Sequence, residues 1–218
     1  MARPKKDDTR DTRRDILDRS LELFATHGFT GSSMRDIARA VGVRESALYH
    51  HFPNKNAILT TVLGESGPGA LNAMMTGDLV RIIEAMGPQQ FLRTMGEAVV
   101  ALWATERERH LMRLIMAESP RLKQAGLFDV QKQIQSVRAR IGEVFTKLAE
   151  RGLIRQVDPD AAVLRFMGPM LLIRVIHLAD LNVTPDMAAL RDDLSRHLDS
   201  FWLTVRPEAP PSGRRRRA

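Results

Sequence analysis

The chemistry this chain advertises is recognition rather than bond-making. Arg44, Glu45, Ser46, Tyr49 and His50 follow one another closely along a short stretch. Together they offer a guanidinium, a carboxylate, a hydroxyl, a phenol and an imidazole, which suit phosphate oxygens and the edges of bases in a groove of DNA. Spacing alone is equally that of a generic helical hairpin whose polar side faces water. The elements around these residues therefore decide how the run is read.

Those elements are legible. Ser33 is placed to cap a helix, and Asp36, three residues on, can bond back to it. Met34, Ile37, Ala38 and Val41 recur at helical spacing and form one apolar stripe. Gly42 follows the last of them, where a helix end calls for positive φ. A second helix is predicted from about Glu45 to Phe52, with Leu48 and Phe52 turned inward. Pro53 stops it, and Asn54 is a good cap for a helix that begins beside Lys55. Two short helices, a tight turn and a hard stop are the layout of a helix-turn-helix that lays its second helix in the major groove.

The run Phe29 to Leu59, FTGSSMRDIARAVGVRESALYHHFPNKNAIL, resembles the DNA-binding domain of the tetracycline-repressor (TetR) family of transcriptional regulators. The matching pieces are Gly28-Phe29, Asp36-Ile37-Ala38, Gly42-Val43, Leu48-Tyr49-His50 and Phe52-Pro53-Asn54-Lys55. The resemblance implies that Ser33 and Tyr49 contact phosphates, that His50 reaches a phosphate or a nearby base, and that Lys55 neutralises a phosphate. It makes Arg35, Arg44, Glu45 and Ser46 the candidates for base readout. Arg44 stands where relatives often carry a capping Ser or Thr, so the start of the recognition helix is expected to shift. Glu45 stands where relatives often carry Lys or Arg.

Composition fits this reading. The chain has 218 residues, 44% of them hydrophobic, and no cysteine, which excludes disulfides and thiolate metal sites and accords with a reducing cytoplasm. No uninterrupted apolar run approaches the ~20 residues of a bilayer span, and no secretory signal opens the chain. The net charge of +7 is uneven: +3 over residues 1–58, zero over 59–205 and +4 over 206–218. A basic head on a neutral body is the footprint of a nucleic-acid binder.

Strand signals are nearly absent, so the expected fold is all-α, with about nine helices. A basic arm (1–8, with Arg3, Lys5 and Lys6) precedes a three-helix DNA-binding domain (9–55). A helical ligand-binding and dimerisation domain follows (56–206), then a disordered basic tail (207–218). Asp8 or Thr9 caps the first helix; Arg10, Arg13 and Arg14 reach either the DNA backbone or Asp11, Asp15 and Asp18. Gly64, Gly67, Pro68 and Gly69 predict a break in the fourth helix. Further helices are predicted near 78–86, 88–105, from Leu111 toward Ser119-Pro120, 128–148, from Asp158-Pro159 to Leu178, and from Thr184-Pro185 onward.

The helix ending at Leu178 is apolar over most of its surface and needs burial on more than one side. The resemblance implies that the last two helices build a four-helix bundle across a two-fold axis. Leu190, Leu194, His197, Leu198, Phe201 and Trp202 are the expected interface. It also implies a small-molecule site between the body helices, and Phe91, Met95, Trp103, Met112, Met116, Phe145, Phe166 and Met170 are the apolar lining expected, with Arg174 and His177 as polar contacts. Met packs adaptably, and Met74, Met75, Met86 and Met167 lie in the same body. The function implied is a homodimeric repressor in the cytoplasm, associated with the nucleoid and released from a palindromic operator by a small, largely apolar effector. The alternative is a DNA-binding regulator or architectural protein with no inducer. No cofactor, metal or membrane is called for. With no nucleotide-binding glycine motif and no metal-ligand spacing among the histidines, an enzyme is the weakest reading.

Overall fold

A computed structural model describes residues 6–65 and 79–208. The arm residues Arg3 and Lys5, the predicted break at Gly67-Pro68-Gly69, Met74, Met75 and the tail from 209 lie outside the described residues. Within them are ten helices and no strand: α1 (Lys6–His27), α2 (Met34–Val41), α3 (Glu45–His51), α4 (Lys55–Glu65), α5 (Leu79–Met86), α6 (Pro88–Trp103), α7 (Glu106–Gln124), α8 (Val130–Glu150), α9 (Pro159–Leu178) and α10 (Met187–Val205). Helix α1 starts ahead of the Asp8 or Thr9 cap that the sequence suggested.

The apolar residues sort into two cores. One gathers Ile16, Leu17, Leu21 and Phe24 of α1, Ile37 and Ala38 of α2, Leu48 of α3 and the buried face of α4, Ile58, Leu59, Val62 and Leu63. The same cluster contains Leu111, Leu114 and Leu122 of α7 and Phe128 beyond it. The head is therefore not closed by its own four helices: α7, far along the chain, supplies one wall of its core. The second core is built from α5, α6, α8, α9 and α10 around Trp103, Phe145, Phe166, Met170 and Phe201. The rings of Phe145, Phe166 and Phe201 meet edge to face at centroid distances of 5.1–5.9 Å, the geometry that the ring quadrupole favours.

Two predicted helix boundaries moved. The stretch from Leu111 does not end at Ser119-Pro120, because α7 carries Pro120 inside it and runs on to Gln124. Leu122, buried in the head core, holds the last turn in place despite the ladder bond that proline removes. Helix α10 is opened not by Thr184-Pro185 but by Asp186, whose carboxylate accepts from the amides of Ala188 and Ala189. Asp158 caps α9 as predicted, accepting from Ala161 N–H at 3.1 Å. Helix α9 is also long and apolar enough to cross a membrane by length and composition, although the sequence showed no unbroken apolar run. Part of its surface is buried in the body core, through Ala162, Val163, Phe166, Met167, Met170 and Ile173.

Charges lock the head onto the body. Arg107 of α7 bridges Asp18 of α1 and Glu65 of α4, and Arg13 of α1 reaches Glu65 at 3.2 Å. Arg109 donates to the carbonyls of Leu178, Asp180 and Val183, satisfying the frayed end of α9.

His197 of α10 lies against Phe166 and Phe201, and its Nε2–H donates to the Phe166 carbonyl at 2.8 Å. Burial holds its pKa below the ordinary histidine value, with the hydrogen bond to Phe166 opposing. The unfolded chain then binds a proton that the folded one refuses, so this contribution to stability is full above about pH 6.5 and is lost as the pH falls below it. Denaturant midpoints measured from pH 7.5 to 5 should fall for the parent protein and fall less for His197→Gln; parallel slopes would remove His197 from the acid response.

Candidate nucleic-acid interface

The presenting unit starts at the end of α1. Gly28 has φ +76, a left-handed conformation that turns the chain toward α2. Ser32, buried, donates from Oγ to the Gly28 carbonyl at 2.9 Å. Ser33 then caps α2: its Oγ accepts from Asp36 N–H at 3.2 Å, its own N–H donates to Asp36 Oδ2 at 3.1 Å, and the two side chains are bonded to each other. The Ser33 hydrogen bond holds the Asp36 carboxyl below its usual pKa. At the far end Gly42, φ +78, donates its N–H back to the Ala38 and Arg39 carbonyls and swings the chain into α3.

Helix α3 begins at Glu45 with Arg44 as its N-cap, and no side chain caps it. The helix starts at Glu45, where the residue pattern put it; the carbonyl of Arg44 accepts the first bonds, from Ala47 and Leu48, and the Arg44 side chain is exposed. Leu48 is the buried anchor of this helix, and Phe52 is buried just past its end beneath the Arg13 guanidinium, 5.3 Å from the ring centroid. Around that anchor, Arg44, Glu45, Ser46, Tyr49 and His50 are all exposed. Tyr49 shows 51% of its surface, which leaves its phenol free to meet a partner. Ser33 and Arg35 are exposed at the start of α2.

Lys55 is placed differently from the other seven. Its ammonium turns inward, donating to the carbonyls of Phe29 and Ser32 at 2.9 Å each and lying 4.6 Å from the centre of the Phe29 ring. It ties the start of α4 to the loop that launches α2, so its first task is to hold the interface in shape. Asn54 caps α4, accepting from Ala57 N–H at 2.9 Å.

In the body, Phe91, Trp103, Phe145, Phe166 and Met170 are brought together in one core, with Met95 packed on its edge. Met112 is half-buried, while Met116 is 66% exposed and does not face that core. Arg174 stacks over Trp103 at 4.9 Å, and His177 pairs with Asp193 of α10 at 2.8 Å. The expected dimer residues of α10 are placed otherwise than the sequence suggested. Leu190, Leu194, Leu198 and Phe201 are buried within the chain's own core, His197 is bonded to Phe166, and Trp202 is half-buried on the same side. Among the described residues the largest group of exposed apolar side chains is on α9, Leu164, Leu171, Leu172, Val175 and Ile176, and α10 adds Leu203. Sequence reasoning also missed the buried carboxylates Glu108 and Glu118 of α7. Their signal was present: both fall on the helix face that carries Leu111 and Leu122.

Two family models match the chain: the bacterial regulatory proteins of the tetR family over residues 16–62, and the C-terminal domain of AefR-like transcriptional repressors over residues 90–189. The chain belongs to the TetR family. Both models describe transcriptional regulators. The HTH-type transcriptional regulator AcrR of Shigella flexneri is 34% identical over 121 residues, 53% of each chain. This TetR-family chain thus spans about half the length of the curated relatives it matches. A Mesorhizobium loti chain assigned to the same family shares the fold at a TM-score of 0.65 and 22% identity, over 93% of this chain and 100% of that one. AibR in complex with isovaleryl coenzyme A and operator DNA is similar at a TM-score of 0.59 and 22% identity, over 87% and 97%.

Lys55→Met removes both carbonyl contacts and the ring contact while keeping the stem. It should destabilise the protein by about 1–3 kcal/mol in denaturant titration, the scale of a hydrogen-bonded charge. An unchanged midpoint would show that the staple holds nothing.

Proposed function

We propose that the protein is a homodimeric repressor that grips a palindromic operator through α3 and lets go when a small, largely apolar ligand enters the body. Arg44, Glu45, Ser46 and Arg35 read base edges, while Ser33, Tyr49 and His50 hold phosphates. Lys55 supports them from behind and adds positive charge. The protein acts in the cytoplasm on the nucleoid.

The observation that carries the dimer is the outer face of α9. Leu164, Leu171, Leu172, Val175 and Ile176 recur at helical spacing and are 46–63% exposed. That apolar stripe lies on the side of α9 opposite its buried Phe166 and Met170, and a second copy laid against it by a two-fold axis would bury it isologously. Two heads carried by such a dimer would present their recognition helices about 34 Å apart, one turn of the duplex. The ligand reading is supported by the aromatic and Met-rich body core and by AibR, a relative in fold that binds isovaleryl coenzyme A together with operator DNA. Tight packing of Phe145, Phe166 and Met170, none of them exposed, favours the second reading, a regulator that no small molecule releases.

Leu172→Asp combined with Ile176→Asp should give a folded monomer by light scattering, with operator affinity reduced at least tenfold. A dimer that persists would put the interface elsewhere. The operator itself is obtained by selecting bound duplexes from genomic fragments. Arg44→Ala should then bind with an altered base preference, and a preference identical to the parent's would take Arg44 out of readout.

A further inference from the structure

Arg174 is a buried cation whose hydrogen bonding is incomplete. Its side chain is 12% exposed on α9, and its guanidinium lies over Trp103 of α6. One Nη donates to the Glu108 backbone carbonyl at 3.0 Å. The Glu108 carboxylate stands 3.9 Å from the same nitrogen, too long for a hydrogen bond, and the buried Nε finds no acceptor at all. Burial accordingly holds the pKa of this guanidinium below its ordinary value, with Glu108 opposing. A planar fork with an unmet in-plane donor is the group that takes a carboxylate side-on.

The surroundings give the ligand a direction. Phe166, Met170 and Arg174 follow at four-residue steps, so they share one face of α9. The first two are fully buried and apolar, and Trp103 lies alongside. From Phe166 to Arg174 the face runs about 12 Å, at 1.5 Å per residue, from aromatic to cationic. Met170 is in the core against which the half-buried Met95 packs, and a thioether can repack around a chain laid along it.

Glu108 connects this place to the head. It belongs to the first turn of α7, whose later residues Leu111, Leu114 and Leu122 form a wall of the head core. At the other end of the same helix Glu118 is buried against Gly28, where an added Cβ would come within 2.9 Å of its Oε1. The backbone there leads directly to Ser33 and α2.

We propose that Arg174 is the anchor of an anionic effector, an organic carboxylate with an apolar tail, and that Glu108 is the internal anion it displaces. This rests on the ligand-responsive reading above and names the chemistry of that ligand. A carboxylate on Arg174 leaves Glu108 facing a like charge. The first turn of α7 must then move, and α7 carries the displacement to the head core and to the Gly28 turn.

The test is calorimetric titration of the full chain with octanoate and with octan-1-ol, equal in tail and different in charge. Octanoate should bind at least tenfold more tightly than the alcohol. Arg174→Met should erase that difference, Arg174→Lys should restore part of it, and Glu108→Gln, which removes the competing charge, should tighten octanoate several-fold. Equal affinities in the parent, a preference that survives Arg174→Met, or no octanoate binding would each overturn the proposal. Operator affinity is measured on the same samples. If octanoate binds through Arg174 and the operator is still held, the carboxylate site stands and the release reading fails.

Discussion

Everything in this molecule depends on one helix that walls the hydrophobic core of the head and is tied to the body by polar contacts. Leu111, Leu114 and Leu122 of α7 complete the core of the DNA-binding head, while the first turn of the same helix sits against α6 and α9 through Glu108 and Arg174. One long helix, two short ones and the eleven residues of α4 do not close this core alone, since Leu111, Leu114 and Leu122 of α7 stand in it. Borrowing a wall from α7 solves that problem of stability, and it makes the position of the recognition helix a function of the body. A separation at residue 55, natural in sequence, is therefore not a separation in packing.

The interface divides its labour. Ser33, Asp36, Gly42, Asn54 and Lys55 set the geometry, through two caps, a left-handed turn and a staple of carbonyls, and Ser33 and Lys55 serve the proposed DNA contact as well. Arg44, Glu45, Ser46, Tyr49 and His50 are left unburied around Leu48. Holding a seven-residue helix in one orientation takes this much scaffolding, because a helix that short has almost no stability of its own. The charge distribution follows the same logic, since the body is neutral and the excess of positive charge lies at the two ends of the chain.

Much of this was legible before any coordinates. Caps are local chemistry, so Ser33, Gly42, Asn54 and Asp158 could be read from residue type and spacing, and so could the all-helical class. What sequence could not tell was which partner covers an apolar stripe. Leu190, Leu194, Leu198 and Phe201 of α10 make a stripe as good as any dimer seam, yet they are buried against the chain's own α6, α8 and α9. The stripe left outside belongs to α9, which is apolar nearly all round and so carried no facial signal. Lys55 misled in the same way: a lysine at a helix start reads as a surface charge, and only the fold shows two carbonyls waiting for it. Pro120 reads as a stop, and only the burial of Leu122 explains why the helix continues.

The claim that the head rides on α7 is tested most directly by amide hydrogen exchange in Leu114→Ala, a change at a fully buried position outside the first four helices. A Leu→Ala cavity costs about 2–5 kcal/mol, and about 1.4 kcal/mol is tenfold in an equilibrium. Protection in α1, α2 and α4 should therefore fall by roughly 25-fold or more, with operator affinity falling alongside. Unchanged protection in those helices, with the loss confined to α8 and α9, would contradict the account.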